Sequence, residues 1–118
     1  MKRITAEVLT PAQALARFKR IGKAAVGGRA VHPVLGFESM SELASLLSEK
    51  RVELLRYVAA NPGLTIRKLS VRLERDYKRV HTDVTELEDR GLLVRDDAGT
   101  LVAPYDEIVI RAPLREAA

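Results

Sequence analysis

Between Arg67 and Arg79 six cations (Arg67, Lys68, Arg72, Arg75, Lys78 and Arg79) stand against only Glu74 and Asp76. Guanidinium and ammonium groups at that density donate well to phosphate oxygens and to the acceptor edge of guanine. His81, Thr82 and Thr85 follow at once and extend the donor set. The chemistry suggested is recognition of a polyanion and not turnover. The chain has no Cys and therefore no thiolate nucleophile or Cys-based zinc site. Its two histidines, His32 and His81, lie far apart, whereas paired metal ligands on a helix sit one turn apart. Asp83 is two residues from His81, a step that sends helical side chains to different faces and argues against a catalytic dyad. The expectation is no enzyme, no cofactor and no metal.

The 118 residues allow one domain with a short appendage, and 47% hydrophobic with 31% charged residues is a globular balance. The formal net charge is +4. Residues 1 to 50 carry eight basic and four acidic side chains, residues 51 to 95 ten and seven, and residues 96 to 118 two and five. The final stretch is acidic and the remainder basic. Aromatic residues make up only 4%, which disfavours binding single strands or RNA by base stacking. The start, Met-Lys-Arg, lacks the apolar centre of a secretion signal, and no run of 18 apolar residues occurs. With Cys absent, the expected location is cytoplasmic, with no membrane partner.

These side chains need elements to hold them. Ile4 to Val8 alternates apolar and polar residues and predicts a half-buried strand. Thr10 as cap and Pro11 in first position predict a helix with Leu15, Phe18 and Ile21 on one face, stopped at Gly22. Residues 22 to 36 read as loop, with a short strand over Val34 to Phe37; the run Gly22 to Gly28 fits neither nucleotide-binding glycine pattern. Ser39 and Glu42 have capping-box spacing ahead of Met40, Leu43, Leu46 and Leu47. A helix from about Lys50 to Ala60, with Val52, Leu55 and Val58 or Ala59 on one face, ends at Asn61-Pro62-Gly63.

Thr65 then caps a short helix with Ile66, Leu69 and Leu73 inward, leaving Arg67, Lys68 and Arg72 outside. Asp76 caps the next, residues 77 to 90, with Tyr77, Val80, Val84 and Leu87 inward and Gly91 as its left-handed end. Leu92 to Arg95 and Thr100 to Ala103 predict a hairpin, and Ile108 to Ile110 a further strand. The expected fold class is α+β: a winged helix-turn-helix, meaning a three-helix core plus a β-hairpin wing, with an N-terminal strand-helix extension. The divisions expected are an extension over 1–37, a DNA-binding domain over 38–111 and a tail over 112–118.

The string Arg75-Asp76-Tyr77-Lys78-Arg79-Val80-His81-Thr82-Asp83-Val84, with Leu87-Glu88, Gly91-Leu92-Leu93 and Val102 to Ile108, resembles the prokaryotic winged-helix transcriptional regulators similar to the MarR group. The resemblance covers about Glu38 to Arg111. It implies DNA binding through the second helix of the motif, and some members of such families look like the antitoxin half of toxin–antitoxin pairs.

Residue by residue, the expected reading helix directs Lys78, Arg79 and Thr82 toward the major groove, with His81 behind them. Thr65, Arg67 and Lys68 are expected on a backbone phosphate. Arg95 is expected on the wing, beside Asp96 and Asp97, which would repel DNA. The function expected is a sequence-specific double-stranded DNA-binding transcriptional regulator, a dimeric repressor, with residues 1–37 given to dimerisation or partner binding. The alternatives are an autoregulating antitoxin with a cognate toxin and a winged-helix module that binds protein.

Overall fold

The computed structural model describes residues 1–26 and 33–115. The fold is mixed α+β. In chain order the elements are β1 (Arg3–Val8), α1 (Pro11–Val26), β2 (Val34–Phe37), α2 (Met40–Leu46), α3 (Glu49–Ala60), α4 (Ile66–Leu73), α5 (Tyr77–Asp89), β3 (Val94–Arg95), β4 (Leu101–Val102) and β5 (Glu107–Arg111). They fall into two units, one from the described residues of Met1–Ser45 and Glu107–Ala118, the other Leu46–Asp106. No helix among the described residues is long and apolar enough to cross a membrane.

The first unit is built on a three-stranded sheet of order β2-β1-β5 in which β1 pairs in parallel with both neighbours. Ile4 and Ala6 are buried on this central strand. The strand expected over Ile108 to Ile110 is present, but Ile4 lies opposite Ile108 and Ala6 opposite Ile110. Residues 107–111 therefore group with the N-terminal strand, not with the helices between, and the unit borders lie at 45/46 and 106/107 where 37/38 and 111/112 were expected. Two ion pairs follow the ladder: Arg3 to Glu107 at 2.8 Å and Arg111 to Glu7 at 3.4 Å.

Thr10 and Gln13 cap α1 reciprocally, each backbone N–H donating to the other's side-chain oxygen, at 2.9 and 3.2 Å. The helix continues past Gly22 to Val26, because one glycine costs only about 1 kcal/mol and Lys23, Ala24 and Ala25 are strong helix formers. Gly27 to His32, and the side chains of Arg17 and of Arg20 to Val26, Ile21 included, lie outside the described residues. Leu15 and Phe18, expected on one face of the helix, are 56% and 74% exposed. Ser39 accepts from the Glu42 N–H at 3.1 Å to start α2, on which Leu43 and Leu46 are buried and Met40 is exposed.

In the second unit Ser48 caps α3 by accepting from the Arg51 N–H, and Leu54, Leu55 and Val58 are its buried residues. Leu54 replaces the expected Val52, which is only half-buried. A core forms from Leu54, Val58, Leu69, Val80, Val84, Leu87, Leu93 and Leu101, all with essentially no exposed surface. Arg51 Nε donates to Asp83 at 2.9 Å between α3 and α5, with both side chains largely buried. The hairpin is shorter than expected, two residues per strand. Leu101 also bonds outward on its other side, its N–H donating to the Leu64 carbonyl at 2.8 Å and its carbonyl accepting from Gly63 at 3.2 Å.

Two helix ends in this unit use the same device. After α5 the Leu92 N–H donates to the Leu87 carbonyl and Gly91 takes φ +75. After α4 the Arg75 N–H donates to the Ser70 carbonyl at 3.0 Å and the Glu74 N–H to Val71 at 3.1 Å, but here the left-handed position, φ 56 and ψ 47, belongs to Glu74. Among the described residues it is the only non-glycine with positive φ. A Cβ in that region costs roughly 1–2 kcal/mol, partly offset by the smaller chain entropy of a non-glycine residue. Glu74→Gly should therefore raise unfolding free energy by up to about 1 kcal/mol in urea titration.

Candidate nucleic-acid interface

The sequence of α4 and α5 sets which side chains face out. Ile66, Leu69 and Ser70 are buried on α4, and Val80, Val84 and Leu87 on α5. Arg67, Lys68 and Arg72 on α4, and Lys78, Arg79, His81 and Thr82 on α5, are left exposed. Helical geometry at about 100° per residue places Lys78, Thr82 and Thr85 opposite the buried stripe.

Carboxylates divide the cations into two groups. Arg75, although in the middle of the basic run, donates to the Lys50 carbonyl at 2.9 Å and to Glu53 at 2.6 Å, with its side chain only 12% exposed. It ties the α4–α5 turn to α3. Arg51 is held by Asp83. Among the described residues Lys68, Lys78 and Arg79 have no carboxylate partner. Their positive charge is uncompensated where it is most exposed.

Local bonds fix the backbone under these groups. Thr65 Oγ1 accepts from the Lys68 N–H at 3.2 Å, and the acceptance leaves the hydroxyl proton available to an outside oxygen. Asp76 accepts from the Arg79 N–H at 3.2 Å, and no acidic residue occupies the first turn of α5. The Thr82 and Thr85 hydroxyls donate to the carbonyls of Lys78 and His81. Of the acidic residues of α5, Asp83 is held by Arg51 and Glu86, Glu88 and Asp89 all follow Thr85, so the exposed charge is basic at the start of the helix and acidic at its end.

Tyr77 departs from its expected inward position and is 39% exposed. It occupies the first turn of α5, where its ring is covered by the Arg67 guanidinium, 4.8 Å from the ring centroid. The His81 ring lies 6.0 Å away, tilted by 45°. Arg67, Tyr77 and His81 thus form an exposed stack joining α4 to α5. Periodicity alone could not reveal it, because Tyr77 shares the angular sector of Val84.

Arg95 is brought to the hairpin as expected, but its guanidinium forks onto Glu88, Nε at 2.9 Å and Nη2 at 2.5 Å. Contact with DNA through Arg95 would require breaking that pair. Asp96 does not project from the hairpin tip. Its carboxylate accepts from the N–H groups of Ala98 and Thr100, at 3.0 and 2.9 Å, and from the Thr100 hydroxyl at 2.5 Å. Those bonds from Thr100 hold the Asp96 carboxyl below its ordinary range, and Gly99 at φ +78 completes the turn. Among the described residues no group of three His, Cys, Asp or Glu side chains is placed to hold a metal.

Glu88 has a direct pH consequence. The hydrogen bond from Arg95, against a smaller opposing effect of burial, holds its carboxyl below the ordinary 4.5. A carboxyl with a lowered folded-state pKa contributes stability in full above its unfolded value, and loses it as pH falls through the folded value. Urea midpoints of the wild type should thus fall as pH drops below about 4.5, and Glu88→Gln should weaken that dependence. Equal slopes for the two proteins would show that the pair has no linkage to folding.

Compared with known proteins, the chain matches the model of the family described as HVO_A0114 over residues 46–110. No curated protein and no solved structure matches it. The matched stretch takes in α3, α4, α5, the hairpin and nearly all of β5, more than half of the sequence. Because the match spans more than half of the sequence, the chain belongs to the HVO_A0114 family.

Proposed function

We propose that the Leu46–Asp106 unit is a winged helix-turn-helix and that the protein is a sequence-specific double-stranded DNA-binding transcriptional regulator of MarR-like type, acting as a dimeric repressor. The single observation that carries this reading is the set of cations without carboxylate partners among the described residues, Arg67, Lys68, Arg72, Lys78 and Arg79, on the exposed faces of two consecutive helices. The order α3, α4, tight turn, α5, hairpin supports it, as does the bridge of Leu101 to Leu64 that fastens the hairpin to the segment before α4.

In this reading α5 enters the major groove with Lys78, Arg79 and Thr82 leading, and Thr65, Arg67 and Lys68 meet the phosphate backbone. Arg67 has a second role, since its position over Tyr77 couples the phosphate-facing helix to the reading helix. The hairpin contributes through its backbone and Val94 more than through Arg95, which Glu88 occupies. One copy reads only a few base pairs, so two copies on half-sites about 34 Å apart supply the affinity and the specificity.

A second reading has one observation in its favour. The exposed Leu15 and Phe18 on α1 suit a protein partner, as in an antitoxin that grips a toxin and regulates its own promoter. Salt dependence separates DNA binding from a purely protein-binding role.

Fluorescence anisotropy with duplex DNA from upstream of the coding sequence, across a salt series, should show affinity falling steeply as salt rises. Arg79→Ala should cost about 1–3 kcal/mol and relax base preference, and Lys68→Ala should reduce the salt slope by about 1 without changing preference. Arg75→Ala should lower thermal stability and leave the salt slope unchanged. If Lys78→Ala and Arg79→Ala combined leave binding intact, α5 is not the reading helix.

A further inference from the structure

The outer edge of β5 pairs with no strand among the described residues. Its sequence, Glu107-Ile108-Val109-Ile110-Arg111, is apolar in the middle and oppositely charged at its two ends. The Glu107 N–H donates to the Lys2 carbonyl at 3.3 Å. Inward and outward bonding alternate along a parallel strand. Glu107, Val109 and Arg111 therefore bond toward β1, and the N–H and C=O groups of Ile108 and Ile110 point to the open edge. Val109 and Ile110 are 39% and 56% exposed, an apolar edge of the kind that pairs with another chain.

We propose that this edge binds a second copy of the chain, the two β5 strands running antiparallel about a two-fold axis at Val109. The register is fixed by chemistry. With the axis at Val109, Glu107 lies opposite Arg111 of the second copy at both ends, and Ile108 opposite its Ile110. The outward backbone groups of those isoleucines then form two hydrogen-bonded pairs. An axis at Ile108 would set Glu107 against Val109, and one at Ile110 would set Arg111 against Val109. Only the Val109 register gives each charge its opposite.

The existing ion pairs extend this pattern. Glu107 is already beside Arg3, and Arg111 beside Glu7, at matched positions of the β1–β5 ladder. Across the two-fold the row becomes Arg3, Glu107, then Arg111 and Glu7 of the second copy, alternating in sign over four strands. Two three-stranded sheets merge into one of six, and Val109 and Ile110 become covered.

The inference deepens the two-copy part of the function proposed above and does not depend on DNA. Sedimentation velocity of the full chain, in DNA-free buffer, tests it separately from the anisotropy assay. The wild type should dimerise reversibly. Glu107→Arg and Arg111→Glu each place like charges at both ends of the pairing and should raise the dimer Kd at least about tenfold. An equimolar mixture of the two should dimerise again, because each strand end then meets an opposite charge.

Ile110→Lys leaves both existing ion pairs intact and should also yield monomer with an unchanged circular dichroism spectrum. It decides the matter if loss of the Glu7 or Arg3 partner unfolds a charge variant. A wild type that stays monomeric at its highest soluble concentration would overturn the proposal. So would variants that dimerise like the wild type, or a mixture of folded charge variants that stays monomeric.

Discussion

A parallel ladder between residues 3–7 and 107–111 is the constraint on which the chain's organisation depends. It joins strands separated by almost the whole sequence, and every residue from Val8 to Asp106 must be accommodated between them. A disordered loop of that length would impose an entropic cost on closure, although one that grows only slowly with length. The Leu46–Asp106 stretch reduces the effective loop by folding on its own core of leucines and valines. The charged ends of the ladder, Arg3 with Glu107 and Arg111 with Glu7, add register to a pairing that apolar side chains alone specify weakly.

Within the inserted unit, function depends on how carboxylates are distributed among arginines. Glu53, Asp83 and Glu88 hold Arg75, Arg51 and Arg95, and each pair joins two different parts of the unit. Arg51 and Asp83 are the most enclosed of these, and removing either partner would leave a largely buried charge unpaired. The cations without such partners are a residue of this arrangement, and their placement on α4 and α5 follows from the burial of the opposite faces. The stack of Arg67, Tyr77 and His81 bridges the two helices on the same surface.

Much of this was legible from local sequence signals. Thr65, Asp76 and Gly91 mark helix ends because capping is a matter of side chains within a few residues of the backbone they serve. The α+β character followed from switching periodicities. The partner of β5 was not legible, because a run such as Ile108-Val109-Ile110 pairs equally well with any strand that is near. Nor was the state of Arg75 and Arg95, whose carboxylates come from α3 and α5. Tyr77 misled because angular position describes the middle of a helix better than its first turn, where the ring meets the Arg67 side chain of α4 and not the apolar core. Leu15 and Phe18 show the complementary point: spacing sets them on one face of α1, but an apolar stripe shows that a face could be buried and does not show that it is.

The interrupted first unit has an implication for synthesis. A chain emerging from the ribosome presents β1 and β2 long before β5, so the central strand has one of its two edges unfilled while the entire Leu46–Asp106 stretch is being made. The helical unit, rich in local contacts, can fold during that interval. The sheet can therefore be completed only after the Leu46–Asp106 stretch has been made, and the unfilled edge of β1 stays a nascent-chain hazard until Glu107–Arg111 arrives.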